Sequence, residues 1–449
     1  MRRTVGALAL AALLVACGCA RKPEPRPRLL IFGLDCATWT ILGPMIEAGE
    51  VPTIARLTRE GSYGILKSVP PVQSPPVWTT IATGVLPARH GITDFVAKVP
   101  GTDRVVPVSS NLRRVKAFWN ILSENGISVG IVGWWPSWPA EEVNGFMVTD
   151  RAWPVAMSDG GVPLGTSRGI IDDIEIPEFP GRTWPDSLFE SFRPFIVLEK
   201  DVGPVELDRF FSDSQRVDPV SDFYVRWVYA RDRSFAEAGR AFWERRRPDV
   251  YALYLNGIDV AQHYFWGYQR DLGFTVNDKN HRLYGEVVRN FYRYADRVIA
   301  SHLERAPEDV TVLIVSDHGF ETKGDLRQAW ERGEEIRTLE GAKDVPWDHA
   351  VDGVIIVSGP GIRKGFRIEE ASVTDVTPTI LAYCGLPAAR DIDGHPLEAI
   401  FEPEFLKRHP ISFTDTYETG AARADTIPRE TPMDEAAKER LKSLGYLGK

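Results

Sequence analysis

Short unbroken apolar runs recur along this chain, at residues 29–34, 128–133, 250–255, 310–315 and 353–357. Runs of this length carry no polar face, so each predicts a strand buried on both sides, as in a parallel sheet with helices packed above and below. A further short strand is predicted around 64–67. Between the runs, apolar residues return at helical spacing over 39–48, 52–59, 116–125, 220–247, 281–304, 375–383 and 434–444. One more short helix is predicted over 77–83. Four prolines, at 70, 71, 75 and 76, hold an extended approach to it, and Gly84 closes it. This alternation predicts an α/β fold, doubly wound about a mostly parallel central sheet. The rhythm breaks between 134 and 219, where prolines, glycines and aromatic residues punctuate short segments, including Trp134-Trp135-Pro136-Ser137-Trp138-Pro139. That stretch is expected to be an inserted cap region over the carboxyl edge of the sheet, with its tryptophans as candidate pocket walls. The main domain is then assembled from 29–133 and 220–449.

The first residues follow a different pattern. Met1-Arg2-Arg3 and the apolar stretch 5–16 read as a signal peptide, too short to span a bilayer as a helix. It ends in Leu14-Val15-Ala16-Cys17, which resembles a bacterial lipobox. The expectation is a leader over 1–16, lipidation at Cys17 with Cys19 as the weaker alternative, and a tether over 17–28. The protein would then be anchored in the cell envelope on its periplasmic side, and Gly18 leans towards the outer membrane. Loss of Arg2 and Arg3 with the leader takes the net charge from −9 to −11. No long basic run interrupts this acidic balance, which argues against a nucleic-acid partner. Cys36 and Cys384 stand too far apart in sequence to form a disulfide framework or a metal cluster, and both are expected to be small buried residues.

Three of the predicted strands run into acidic residues: Asp35, Asp259 beyond Asn256-Gly257, and Asp317. In a parallel sheet these ends share one edge, so the three carboxylates meet in space. Asp259 and His263 stand four residues apart, on one face of a helical turn, where both can bind one cation. His318 follows Asp317 directly, and His349 lies in a loop before the 353–357 strand. With a serine oxygen these residues make up two sites of three or four ligands. Mixed nitrogen and oxygen ligands suit zinc best, with manganese next. Ser74 stands at the mouth of its predicted helix, where free N–H groups favour an anion such as phosphate; the same position suits an ordinary serine N-cap.

Taken together, these pieces resemble the alkaline phosphatase superfamily, and within it the type I phosphodiesterase/nucleotide pyrophosphatase branch. The resemblance rests on the strand ending in Asp35, Ser74 to Gly84 with Leu86-Pro87-Ala88-Arg89-His90-Gly91-Ile92, Asp259-x-x-x-His263, Ser316-Asp317-His318-Gly319 and His349. It extends to Asp375-Val376-Thr377-Pro378-Thr379 and Gly385-Leu386-Pro387. It implies an alkaline phosphatase-like fold and hydrolysis of a small phosphoester, diester or monoester. It further implies one divalent ion held by Asp35, Ser74, Asp317 and His318, a second held by Asp259, His263 and His349, and Ser74 as nucleophile. His90 is read as structural. The pattern departs from the branch at two positions. Serine replaces the usual threonine nucleophile, and Phe95 stands where an oxyanion-binding asparagine is expected; Asn256 is read first as a turn residue and second as a substitute donor. Trp78 occupies the position of the sulfatase arginine, which argues against sulfate esters. Two classes therefore stay open, an envelope phosphoester hydrolase and a binding or scaffolding lipoprotein that keeps the fold without turnover.

Overall fold

The computed structural model describes residues 28–154, 177–274, 276–322, 347–419, 427–443 and 447. The expected leader over 1–16, Cys17 and the tether up to residue 27 lie outside the described residues. A nine-stranded sheet forms the centre. Its spatial order is Phe366–Ile368, Ser62–Lys67, Asp352–Ser358, Thr311–Val315, Leu29–Leu34, Val250–Leu255, Val129–Val132, Gly145–Val148 and Thr183–Trp184. Two strands run against the rest, Asp352–Ser358 and Thr183–Trp184; the others are parallel.

Side-chain alternation divides the core into two layers. Leu30, Phe32 and Leu34 pack on one face with Tyr251, Leu253 and Leu255, beneath Trp39–Glu47, Pro52–Glu60, Pro219–Arg246 and Val287–Leu303. Leu29 and Ile31 pack on the other with Val250, Ala252 and Tyr254, beneath Ser74–Thr83, Phe118–Glu124 and Val376–Tyr383. This period of two is what an unbroken apolar run becomes when both faces are covered. Among the described residues no helix is long and apolar enough to cross a membrane.

Three elements differ from their sequence outlines. The 281–304 segment forms two helices, Asp278–Tyr284 and Val287–Leu303, with Gly285 at the break. Glycine lowers helix propensity there, and a Cβ on Gly285 would meet His281 Nδ1 at 2.5 Å. The irregular 134–219 stretch supplies two strands of the sheet itself, too short to show a period. The helix expected over 77–83 begins at Ser74, and Gln73 occupies the cap position without a side-chain bond. Ser74 is therefore not an N-cap.

Candidate active site

Register fixes the site. Leu34 lies opposite Leu255, and Gly33 opposite both Tyr254 and Val315. The three strands thus end level, and the next residues project from one edge. Asp35, Asp259 and Asp317 are each at most 1% exposed, and His318 is sealed completely. The strand Trp347–Ala350 pairs with Gly319–Thr322 and brings His349 opposite Phe320, above the same edge.

The Ser74 helix is buried along its whole length. Its polar side chains survive burial by turning inward: the Thr79, Thr80 and Thr83 hydroxyls donate to Pro75 O at 2.7 Å, Pro76 O at 3.1 Å and Thr79 O at 2.8 Å. His90 ties the far side of the helix, with Nε2 at 3.2 Å from Pro76 O and Nδ1 accepting from Ile92 N–H at 3.1 Å. That pattern requires the neutral ring, and burial holds its pKa down at about 3. The structural reading of His90 stands. The anion-binding helix mouth is weaker than its sequence suggested. Pro75 and Pro76 have no N–H, and the Val77 N–H is taken by Gln73 O at 3.1 Å, so the mouth offers at most the Ser74 amide.

Ser74 Oγ lies 3.4 Å from Asp35 Oδ1, to which it donates, and 3.4 Å from His318 Nε2. His318 Nε2 is 3.1 Å from Asp317 Oδ2 and 3.8 Å from Asp35 Oδ1. Ligand atoms of Asp35, Asp317 and His318 all fall within 4.8 Å of one another. On the other side, His263 Nε2 and His349 Nε2 stand 3.4 and 3.5 Å from Asp259 Oδ1 and 3.0 Å from each other. The His318 and His349 rings stack at 3.8 Å and join the two groups. All seven residues singled out in the sequence are therefore brought together.

The electrostatics are those of a cation site. Burial, then the charge of Asp259, raises Asp35 to about 7. Burial and Asp35 push Asp317 well above the carboxylate range, and burial with His349 holds His318 well below the imidazole range. Burial alone would raise Asp259, but His263 and His349 hold it low. Asp317 Oδ2 is sealed from solvent and makes no hydrogen bond. Converging carboxylates, the neutral His318 imidazole and an unsatisfied buried oxygen together fit a divalent ion.

Other residues support this cluster. Tyr254 donates its hydroxyl to Asp35 Oδ2, and Asn256 Nδ2 reaches the same oxygen at 3.3 Å. Asn256 is thus a partner of Asp35, beyond its place in a turn. The Asp232 carboxylate accepts from Asn256 N at 3.1 Å and Gly257 N at 2.8 Å, fixing the turn that leads to Asp259. The sequence reading passed over Tyr254 because tyrosine in an apolar run reads as a strand former, and period-two counting was the signal that could have found it. Cys36, expected only as a small buried residue, is buried as expected; its N–H donates to Asp317 Oδ1 at 3.1 Å, and its thiol lies among the possible ligands. Phe95 is buried against Trp135. Trp78 packs edge-on to Trp134 and Tyr254, each with ring centres 5.1 Å apart.

Beyond Tyr254 and Asn256 lies a cavity of about 130 Å³, walled chiefly by Trp135, Trp227, Met433 and Leu441, with Arg231 at its side. Of the clustered tryptophans, Trp135 becomes a pocket wall, while Trp134 and Trp138 are buried in packing. The helix Asp434–Ser443 closes the cavity. It is pinned by buried ion pairs, Arg151 with Asp434 and Arg440 with Glu199, both at 2.9 Å.

A profile of the type I phosphodiesterase/nucleotide pyrophosphatase family matches residues 29–397. Arylsulfatase K of Danio rerio is 31% identical over 87 residues, which are 19% of this chain and 14% of that protein. Human ectonucleotide pyrophosphatase/phosphodiesterase 5 superposes with a TM-score of 0.49 at 11% identity, over 84% of this chain and 100% of that one. A 2-O GAG sulfatase superposes with a TM-score of 0.48 at 15% identity, over 83% and 74%. The match over most of the chain's length decides the family: the chain belongs to the type I phosphodiesterase/nucleotide pyrophosphatases.

Proposed function

We propose that this protein is a metal-dependent phosphoester hydrolase, a phosphodiesterase or phosphatase, with Ser74 as nucleophile. Asp35, Ser74, Asp317 and His318 would hold one divalent ion and Asp259, His263 and His349 a second, with zinc the expected metal and manganese the alternative. The observation that carries this reading is the Ser74 hydroxyl, 3.4 Å from both Asp35 Oδ1 and His318 Nε2 on a helix that burial makes rigid. Bound divalent ions would neutralise the carboxylates, polarise the phosphoryl oxygens and lower the pKa of the serine hydroxyl. The chain's own residues do the positioning. Asp35 Oδ1 accepts the Ser74 O–H and aims Oγ, while Tyr254 and Asn256 hold the opposite oxygen of the same carboxylate. Ser74 Oγ then forms the bond to phosphorus, the ester alcohol leaves, and water hydrolyses the phosphoserine.

The cavity beyond Asn256 supports an ester with one apolar, ring-sized arm. Its volume is close to that of cavities that accept benzene, and its wall is mostly apolar. The envelope location belongs to the same proposal. It rests on the leader pattern and Cys17, and a Cys17→Ser variant that leaves the membrane fraction would support it.

The deciding experiment compares chromogenic monoesters and diesters, with and without zinc or manganese, in wild type and Ser74→Ala. Chelator-sensitive hydrolysis that falls at least about 10³-fold in Ser74→Ala is expected. Protein that takes up no divalent metal and hydrolyses none of these esters would leave the scaffolding reading in its place, and undiminished hydrolysis in Ser74→Ala would remove Ser74 as nucleophile.

A further inference from the structure

We propose that Cys36 is a thiolate ligand in the metal centre of this chain, an inference that rests on the metal-dependent reading above. Cys36 follows Asp35 at the end of the central strand and is fully buried. It belongs to the buried core, yet its thiol borders polar ligand atoms. The thiol sulfur, one carboxylate oxygen of Asp259 and one ring nitrogen each of His318 and His349 all lie within 4.8 Å of one another. This set draws His318 from one ligand group and Asp259 with His349 from the other, so the thiol stands where the two groups meet. Zinc bonds of about 2.0–2.3 Å bring such a set to one ion after small side-chain rotations.

A second observation points to a cation at the same place. Asp317 Oδ2 is sealed from solvent without a hydrogen bond, on the carboxylate whose other oxygen accepts the Cys36 N–H at 3.1 Å. Packing alone does not account for a thiol here. The Cys36 Sγ contact with Gly319 O, at 3.3 Å, is a weak hydrogen bond. As the metal binds, the thiol proton leaves to solvent and the sulfur forms the bond to the ion. A soft sulfur donor beside imidazoles favours zinc over manganese, which prefers oxygen ligands. Cys36 thereby selects between the two metals that the remaining ligands leave open.

Cobalt substitution tests this without an activity assay. Full-length protein carrying Cys17→Ser and Cys19→Ser is stripped of metal and titrated with cobalt(II). The expected spectrum combines visible d–d bands with a near-ultraviolet thiolate-to-cobalt charge-transfer band. Cys36→Ser keeps the d–d bands and loses the thiolate band; Cys384→Ala keeps both. Competition between zinc and manganese loses about tenfold of its preference for zinc in Cys36→Ser. Visible bands without a thiolate band in the parent protein overturn the assignment alone, as does a thiolate band that survives in Cys36→Ser. Absence of any cobalt spectrum overturns it together with the metal-dependent reading. Should Cys36→Ser fail to fold, Cys36→Ala takes its place, and the band in Cys384→Ala still has to come from Cys36.

Discussion

Gly33 lies two residues before Asp35, on the sheet face that meets the Ser74 helix, and a methyl group added there reaches Ser74 through one side chain. In Gly33→Ala the new Cβ would sit 2.8 Å from Trp78 Cη2 and 2.9 Å from Cζ3, where ordinary contact starts at 3.4 Å. The indole cannot swing aside, because Trp134 and Tyr254 box it in with ring centres at 5.1 Å on two sides. The helix must therefore move by about 0.6 Å, the shortfall to ordinary contact. Overpacking of this kind costs about 1–3 kcal/mol, or roughly 1–3 °C of melting temperature for a chain of this size. Misplacement of a reacting group by ~1 Å costs about 100-fold in rate, so a shift of 0.6 Å lowers kcat about tenfold. Trp78→Phe removes the offending ring atoms and forfeits no hydrogen bond, since Trp78 Nε1 makes none. The double variant should recover part of both losses, giving a favourable coupling energy in the cycle. Melting temperature and kcat on a chromogenic ester measure all four proteins. Gly33→Ala with wild-type values, or a double variant that is merely additive, would refute the route from strand to Ser74.

Two further outcomes are expected. Above pH ~6.5 the unfolded carboxylates and imidazoles are deprotonated, whereas metal-free folded protein holds protons on Asp35, with its pKa near 7, on Asp317, and on His349, which Asp259 raises against the effect of burial. The folded state then binds more protons than the unfolded one, so stability of the metal-free protein falls from pH 6.5 to 8 by at most about 1.4 kcal/mol per pH unit per proton. Zinc-loaded protein shows a flatter profile because its ligands are already deprotonated; a metal-free melting temperature that rises over this range contradicts the burial argument. Ala437→Phe fills the cavity beside Tyr254 and raises KM for phenyl p-nitrophenyl phosphate about tenfold more than for the methyl ester. Equal effects on the two esters would remove the cavity from substrate binding.

Legibility in the sequence followed the strength of local signals. Asp35 and Asp317 stood out because unbroken apolar runs stop at them, and a parallel sheet sends such ends to one edge. Asp259 and His263 stood out through helical spacing, and their helix, Gly257–Phe265, forms as that spacing requires. Tyr254, Cys36 and the Arg151–Asp434 pair carried no such signal. A tyrosine in a strand, a single cysteine and two charges far apart in sequence gain meaning only when tertiary packing joins them. The prolines after Ser74 were legible as helix starters, yet their missing N–H groups also strip the helix mouth of its anion site. The same residues supported one inference and limited another.

That limit explains how the remaining groups divide the work. With few helix amides available and Asp35, Asp259 and Asp317 at the strand edge, the proposed reaction calls on bound cations for the positive charge that an anionic ester needs. Without cations, the fold meets the desolvation cost by keeping Asp35 and Asp317 partly protonated and His318 neutral. The carboxyl protons block those two ligands and leave when a cation arrives, whereas the neutral His318 is already in its ligating form. Metal binding, site geometry and stability are thus coupled through the same carboxylates, while His90 and the inward-turned threonines keep the Ser74 helix in place regardless of charge. In the reaction proposed above, a buried serine beside a charge-adjustable cluster suits phosphoryl transfer: the serine oxygen would stay put while ions and substrate charge come and go.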